Sequence, residues 1–121
     1  MANSRSSTGT WQSAPGQVEA AVTFALKDGY KMVDCAYCYG NEEEVGAGLK
    51  AAFDAGVKRE DIFIVTKVWA TYNTRCELAL DKSLKALGLD YVDLFLVVSY
   101  NFPLVENWLL MNAALASSPQ P

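Results

Sequence analysis

This chain should fold as an α/β domain with a parallel sheet. Between Gly16 and Val98, apolar residues switch repeatedly between helical spacing and short continuous runs. The runs are separated by helical stretches long enough to serve as crossovers, and a crossover joins parallel neighbours. Glycines at 29, 56 and 88 fall where helices should stop.

Each element has a local reason. Gln17 to Lys27 places Val18, Ala21, Val22, Ala25 and Leu26 on one helical face, with Gly29 as its stop. Lys31-Met-Val-Asp34 is a short apolar strand ending in an acid. Asn41 is a suitable N-cap for a second helix, and Glu42, Glu43 and Glu44 complement the dipole of its first turn. Val45, Leu49 and Phe53 form that helix's stripe, and Gly56 ends it. Asp61 to Val68, rich in Ile, Phe and Val, reads as a buried strand with Lys67 near its end. Thr74 caps a third helix with Leu80, Leu84 and Leu87 as its stripe, and Asp93 to Val98 closes the βαβαβ pattern as a strand. Beyond it, Phe102-Pro103 makes a turn before an amphipathic helix around Leu104 to Leu115 and a frayed polar end.

Composition narrows the chemistry. At 121 residues the chain is one domain at most, with 51% hydrophobic and 20% charged residues, an ordinary globular balance. A net charge of −4 argues against a nucleic-acid grip, which needs clustered Lys and Arg. No apolar run approaches the roughly 18 residues of a membrane span, and Met1 to Thr8 lack the apolar core of a secretory signal. The count of histidines is zero, which excludes histidine zinc sites and histidine-assisted nucleophiles. Three cysteines are too few for a disulfide framework, so a reducing, cytoplasmic setting is expected.

Several motifs could carry chemistry. Cys35-Ala-Tyr-Cys38 follows a strand and could be a redox pair, although no helix starts until after Asn41 and two small loop residues explain it as well. No metal site is expected, because Cys76 is the one further thiol. Gly46-Ala-Gly48 lies within a helix and is no dinucleotide fingerprint. Asp34, Tyr39 and Lys67 are more informative. A phenol titrates near 10, too high for an efficient acid at neutral pH, and a neighbouring ammonium lowers it. All three should project at the C-terminal edge of the sheet, where α/β folds place their sites. Residue types alone leave open a structural Asp–Lys pair with a loop tyrosine.

The stretch Gly29-Tyr-Lys-Met-Val-Asp-Cys-Ala-Tyr-Cys-Tyr-Gly-Asn-Glu-Glu-Glu-Val-Gly46 closely resembles the aldo-keto reductase signature. The likeness continues through Ile62 to Trp69 and through Ser83 to Val97, with Gly9-Thr-Trp11 similar to the end of the family's first barrel strand. It is strongest to fungal reductases of the glycerol dehydrogenase and glyceraldehyde or pentose reductase kind. The resemblance implies the N-terminal part of a (β/α)₈ TIM barrel and NADPH-dependent reduction of a small aldehyde or ketone. It implies Tyr39 as proton donor, Lys67 as the group that assists it, and Asp34 as the anchor of Lys67. Thr10, Trp11 and Asp34 would lie at the cofactor, and Trp69 would wall the substrate pocket.

The departures matter equally. Val98 stands where the family carries a carbonyl-orienting histidine, and Lys31 and Met32 replace an Arg and a His. A complete barrel needs about 250 residues. The expected organisation is a flexible N-terminus over residues 1–8, a partial barrel domain over 9–98 and a divergent tail over 99–121. Val98-Ser99 can be encoded by a splice-donor sequence, so the tail is expected to be translated intron or a gene-model error. Such a chain should be weakly active or inactive alone and should self-associate through exposed strand edges. A non-catalytic interaction fragment and a C-x-x-C redox protein are the alternative readings.

Overall fold

The computed structural model describes residues 7–68 and 75–97. Its strands are β1 (Ser7–Gly9), β2 (Met32–Asp34), β3 (Phe63–Val68) and β4 (Leu94–Val97). Its helices are α1 (Val18–Lys27), α2 (Glu42–Asp54) and α3 (Cys76–Leu87), with short 3₁₀ turns at Tyr37–Tyr39 and Arg59–Asp61. The sheet runs β1-β2-β3-β4, with every neighbouring pair parallel. Each strand therefore ends at the same edge, and the loops that follow β1 and β2 gather there.

Register assigns the two faces of the sheet. Ser7, Met32 and Phe63 lie in line, as do Gly9, Asp34, Val65 and Leu94, and Lys67 pairs with Leu96. These residues share the inner face. Val33 and Ile64, and Thr66 and Phe95, pair on the opposite face and meet the helices. The main core joins Val18, Val22 and Leu26 of α1 to Val45, Leu49 and Ala52 of α2, with Val33, Ile64 and Leu87. A smaller cluster joins Val68 and Phe95 to Cys76, Ala79 and Leu80.

α2 sits between its two neighbours at close range, and its glycines are the reason. A Cβ on Gly46 would lie 2.5 Å from the Ala86 carbonyl oxygen, and one on Gly48 would lie 2.8 Å from the Glu19 carbonyl oxygen. Backbone on α3 and α1 fills the space that side chains would need. Thr23 Oγ1 marks the α1 crossing, reaching the Gly48 carbonyl at 3.2 Å. The Gly46-Ala-Gly48 motif is therefore a packing device.

Several expectations shift at the element ends. Ser7 and Thr8 belong to β1, so the flexible N-terminus does not extend over residues 1–8, because pairing with Met32 and Val33 holds these two. Ala21 is exposed and leaves the α1 face. Asp61 belongs to a 3₁₀ turn over Arg59–Asp61 instead of the strand, and β3 starts at Phe63. Asp93 stays outside β4 because its carboxylate accepts hydrogen bonds from the Ile64 backbone N–H at 2.8 Å and from Arg59 at 2.8 Å. The buried stripe of α3 is Cys76, Ala79, Leu80, Ser83 and Leu87, with Leu84 at its margin. The Thr74 cap, Trp69, Val98 and the tail lie outside the described residues.

On an open helix, Gly46→Ala would gain about 1 kcal/mol of helix propensity. Against the α3 backbone it should instead lower stability by about 2 kcal/mol. Urea unfolding of the variant checks this; a higher midpoint would contradict the close approach of α2 and α3.

Candidate active site

Asp34 ends β2, and Lys67 is the next-to-last residue of β3. Both lie on the inner face near the C-terminal edge. Asp34 is in register with Val65, so Lys67 stands one same-face step further along its strand and its side chain reaches across. The Lys67 ammonium donates to Asp34 Oδ1 as an ion pair and to the Cys35 carbonyl oxygen at 3.0 Å. It also donates to the Tyr39 hydroxyl at 3.4 Å and lies 5.2 Å from the centroid of that ring. The three residues singled out by their chemistry therefore form one connected group.

The electrostatics of Lys67 follow from this geometry. Burial pulls its ammonium pKa down, while the hydrogen bonds to Asp34 and Tyr39 and the charges of both raise it. The raising influences win, and the pKa stands above its ordinary 10.5. The cation is thereby held in its charged form where it meets the phenol.

Tyr39 is placed by the loop between β2 and α2. Cys35 N–H donates to the Val65 carbonyl at 2.9 Å, so the chain continues alongside β3 before turning. Tyr39 N–H closes the 3₁₀ turn on the Ala36 carbonyl, and Gly40 follows in the left-handed region at φ 67°. An L side chain adopts that conformation at a cost, so glycine suits the exit. Asn41 occupies the N-cap position of α2, but its side chain makes no cap hydrogen bond. Its Nδ2 instead donates to the Thr10 carbonyl at 2.8 Å, tying the end of β1 to the start of α2. Thr10 is buried, and both its N–H and its Oγ1 donate to the Asp34 carbonyl. Trp11 beside it is 67% exposed.

The three glutamates do more than complement a dipole. Glu42 is buried, and its carboxylate accepts from Thr66 Oγ1 at 2.6 Å and Ser83 Oγ at 2.9 Å. It ties α2 to the strand residue beside Lys67 and to α3. Glu44 accepts from the backbone N–H groups of Gly16 at 3.0 Å and Val18 at 3.3 Å, capping α1 from another helix. Glu43 is exposed. No sequence signal separates these roles, because each depends on a distant partner.

The cysteines do not form a redox pair here. No disulfide joins them, and Cys35 and Cys76 are buried while Cys38 is exposed. Burial pushes the Cys35 thiol from 9.0 up to about 12, the Glu42 charge adding to the rise, and its Sγ donates to the Val65 carbonyl. Burial also raises the Cys76 thiol, helped by Glu77. Neither offers a thiolate nucleophile at neutral pH. Among the described residues no cluster of His, Cys, Asp or Glu could hold a metal, and no helix is long and apolar enough to cross a membrane. A surface hollow of about 670 Å³ is lined by α1 residues such as Thr23, Phe24 and Lys27, and by none of Asp34, Tyr39 and Lys67.

A parallel α/β sheet brings Asp34, Lys67 and Tyr39 together at its C-terminal edge, and comparison with known proteins gives the class to which this sheet belongs. The sequence model of the Aldo/keto reductase family matches residues 3–114, and the chain belongs to that family. It is similar to D-galacturonate reductase of Hypocrea jecorina, with 74% identity over 89 residues, covering 74% of this chain and 29% of that protein. Glycerol 2-dehydrogenase (NADP(+)) of Saccharomyces cerevisiae is 54% identical over 89 residues, covering 74% of this chain and 28% of its own length. The aldose reductase structure of Schistosoma japonicum matches with a TM-score of 0.85 and 35% identity, over 93% of this chain and 45% of that one. A Bombyx mori aldo-keto reductase in complex with NADP matches with a TM-score of 0.81 and 32% identity, over 91% of this chain and 42% of its own. The fold is accordingly the N-terminal part of a (β/α)₈ barrel. The chain spans under a third of the length of these two curated relatives.

Two outcomes follow from the thiols. A thiol reagent at neutral pH should label Cys38 rapidly and leave Cys35 and Cys76 unlabelled until the chain unfolds. A group whose pKa is raised by folding contributes stability that is complete below its unfolded value and is lost as pH rises towards the folded one. For Cys35 that window runs from about pH 9.0 to about 12, so urea midpoints should fall across it less steeply in Cys35→Ala than in the parent chain.

Proposed function

We propose that this chain carries the proton-donating half of an NADPH-dependent carbonyl reduction, in which an aldehyde or ketone becomes an alcohol. The observation behind this reading is the Lys67 ammonium, bound to Asp34 and to the Tyr39 hydroxyl at once. That arrangement suits a phenol that must give up a proton near neutral pH.

The residues present fit the reacting end of a nicotinamide cofactor. Trp11 exposes an indole beside the edge that carries Asp34, and buried Thr10 seats the Asp34 backbone from below. Thr10, Trp11 and Asp34 would border the nicotinamide. Trp69, one residue beyond β3, would wall the substrate side. When bound, NADPH supplies the hydride that reduces the carbonyl carbon.

Everything else falls to the chain's own groups. Tyr39 donates its hydroxyl proton to the carbonyl oxygen. The phenolate so left is stabilised by the Lys67 ammonium beside it, an interaction stronger in this partly desolvated setting than in water. Asp34 holds the ammonium in place and balances its charge. A solvent proton then restores the phenol. D-Galacturonate reductase and glycerol 2-dehydrogenase (NADP(+)), as the similar proteins are named, point to a small polyhydroxylated carbonyl compound as the substrate class. Three cysteines outside any disulfide suit a reducing, cytoplasmic setting.

A second reading is favoured by the share of the relatives that the chain covers, 29% of the first. On that reading the chain is an interaction fragment that does not turn over alone. NADPH titration followed by cofactor fluorescence separates the two. Saturable binding in the micromolar range, with weak aldehyde-dependent NADPH oxidation, is expected for the catalytic reading; no binding at millimolar cofactor would overturn it for this chain. Given turnover, Tyr39→Phe should lower it by about 1,000-fold while leaving cofactor affinity within about twofold. Lys67→Met should cost a comparable factor, because the phenol then loses the charge that stabilises its anion.

A further inference from the structure

We propose that Glu42 is a positioning residue for the proton donor: its carboxylate, bound to Thr66, sets the separation of the Tyr39 hydroxyl and the Lys67 ammonium. The consequence for rate rests on the proton-donating reading above, whereas the geometric role stands on the fold and is measured separately.

The segment 35–42 carries Tyr39 and is tied to β3 at both ends. At its start, the Cys35 N–H donates to the Val65 carbonyl at 2.9 Å. At its finish, Glu42 Oε1 accepts from Thr66 Oγ1 at 2.6 Å. These ties fall on successive residues of β3, and Lys67 is the next one. Tyr39 lies between them in sequence and meets Lys67 at 3.4 Å. A short closed circuit results. It runs from Tyr39 through Gly40 and Asn41 to Glu42, across to Thr66, on to Lys67 and back to the phenol. Of its two non-covalent links, one is the contact that the chemistry needs and the other is Glu42–Thr66. Loosening the second therefore moves the first.

Both faces of the sheet take part. Successive strand residues point to opposite faces, so Thr66 meets the helices while Lys67 points inward. β3 is gripped at one place from two sides, by Glu42 on the helix face and by Asp34 and Tyr39 on the inner face. Asn41 holds the same segment to the end of β1, two strands from Lys67, and leaves the spacing to β3 to Glu42.

Burial makes the tie specific. Glu42 is 5% exposed, and Thr66 and Ser83 are wholly buried. A carboxylate in such a place is costly unless its oxygens are bonded. Here each takes a hydroxyl, Oε1 that of Thr66 and Oε2 that of Ser83 at 2.9 Å. The two arms have different destinations. Thr66 leads to the strand that carries Lys67, and Ser83 leads to α3, which holds none of Asp34, Tyr39 and Lys67. Removing Glu42 disturbs support and positioning together, but its two partners tell them apart.

The full chain, isotope-labelled at tyrosine and lysine and free of cofactor, is read by nuclear cross-relaxation between the Tyr39 ring protons and the Lys67 methylene next to the ammonium. The parent chain should show this contact. Glu42→Ala and Thr66→Val should lose it with far-ultraviolet dichroism unchanged. Ser83→Ala should keep it, even where its urea midpoint falls as far as that of Thr66→Val. Glu42→Gln should restore it, because an amide oxygen still accepts from Thr66 while the amide nitrogen donates to Ser83. If Glu42→Ala does not fold, Thr66→Val and Ser83→Ala carry the same comparison. A contact kept in folded Thr66→Val overturns the proposal, as does its equal loss in Ser83→Ala or its absence from the parent. In turnover, Thr66→Val should lower kcat on the order of 100-fold with KM for NADPH within about twofold, the cost of misplacing a catalytic group by about 1 Å. A parent chain that shows the contact and no turnover overturns the catalytic reading and supports the geometric role of Glu42.

Discussion

The ammonium of Lys67 stands part-buried on the inner face of a sheet, where a compensating partner favours its charge. Asp34 is that partner, and it comes from the neighbouring strand. The pair can form only if β2 and β3 run parallel with Asp34 opposite Val65. Slipping either strand by one residue would turn one partner towards the helices and strand the other. The register is therefore a precondition of the chemistry, and much of the surrounding packing serves to hold it. Val33 and Ile64 are paired and fully buried on the helix face, and Thr66 on that same face is bonded to Glu42.

The segment from Cys35 to Glu44 turns that register into a site. It leaves β2, follows β3 for one residue, makes a 3₁₀ turn that presents Tyr39 to Lys67, and enters α2. It is anchored at its far end by Asn41 on the Thr10 carbonyl, Glu42 on Thr66 and Ser83, and Glu44 on the first turn of α1. Three neighbouring side chains thus bind four different elements: the end of β1, β3, α3 and the start of α1. The same loop that carries the phenol is the junction of the domain, so stability and positioning are not separable there. At the opposite edge, Arg59 makes the corresponding tie between β3 and β4. It donates to the Ile62 and Tyr91 carbonyls, pairs with Asp93 and lies 3.9 Å from the centre of the Tyr91 ring.

The distribution of work along the chain is informative. Asp34, Tyr39 and Lys67, the groups of the proposed proton transfer, lie on β2, on β3 and in the loop after β2, in the part of the fold that this chain shares with much longer relatives. A barrel divides naturally in this way, because each βα unit contributes one strand end and one loop to a common rim. Among the described residues, Phe63, Leu94 and Leu96 of the inner face remain partly exposed.

Much of this was legible in the residues. Helical spacing marked α1 and α2, Gly88 takes the left-handed cap that ends α3, and Asp34, Tyr39 and Lys67 could be placed at one sheet edge, their roles coming only from the family resemblance. These features are local, or follow from the rule that parallel strands end at one edge. Residues whose function depends on a distant partner were not legible. Asn41 looks like an N-cap because short polar side chains cap helices, yet a buried Thr10 carbonyl competes for it and wins. Glu42 and Glu44 read as dipole complements, yet the hydroxyls of Thr66 and Ser83 and the bare first turn of α1 claim them. Gly46 and Gly48 read as weak helix residues until the backbones of α3 and α1 are seen against them. Periodicity and residue chemistry declare which groups are available, because they act over a few residues. Which of several possible hydrogen bonds a buried group makes is decided by the elements that tertiary packing brings within 3 Å or so of it, and that choice exists only once the chain is folded.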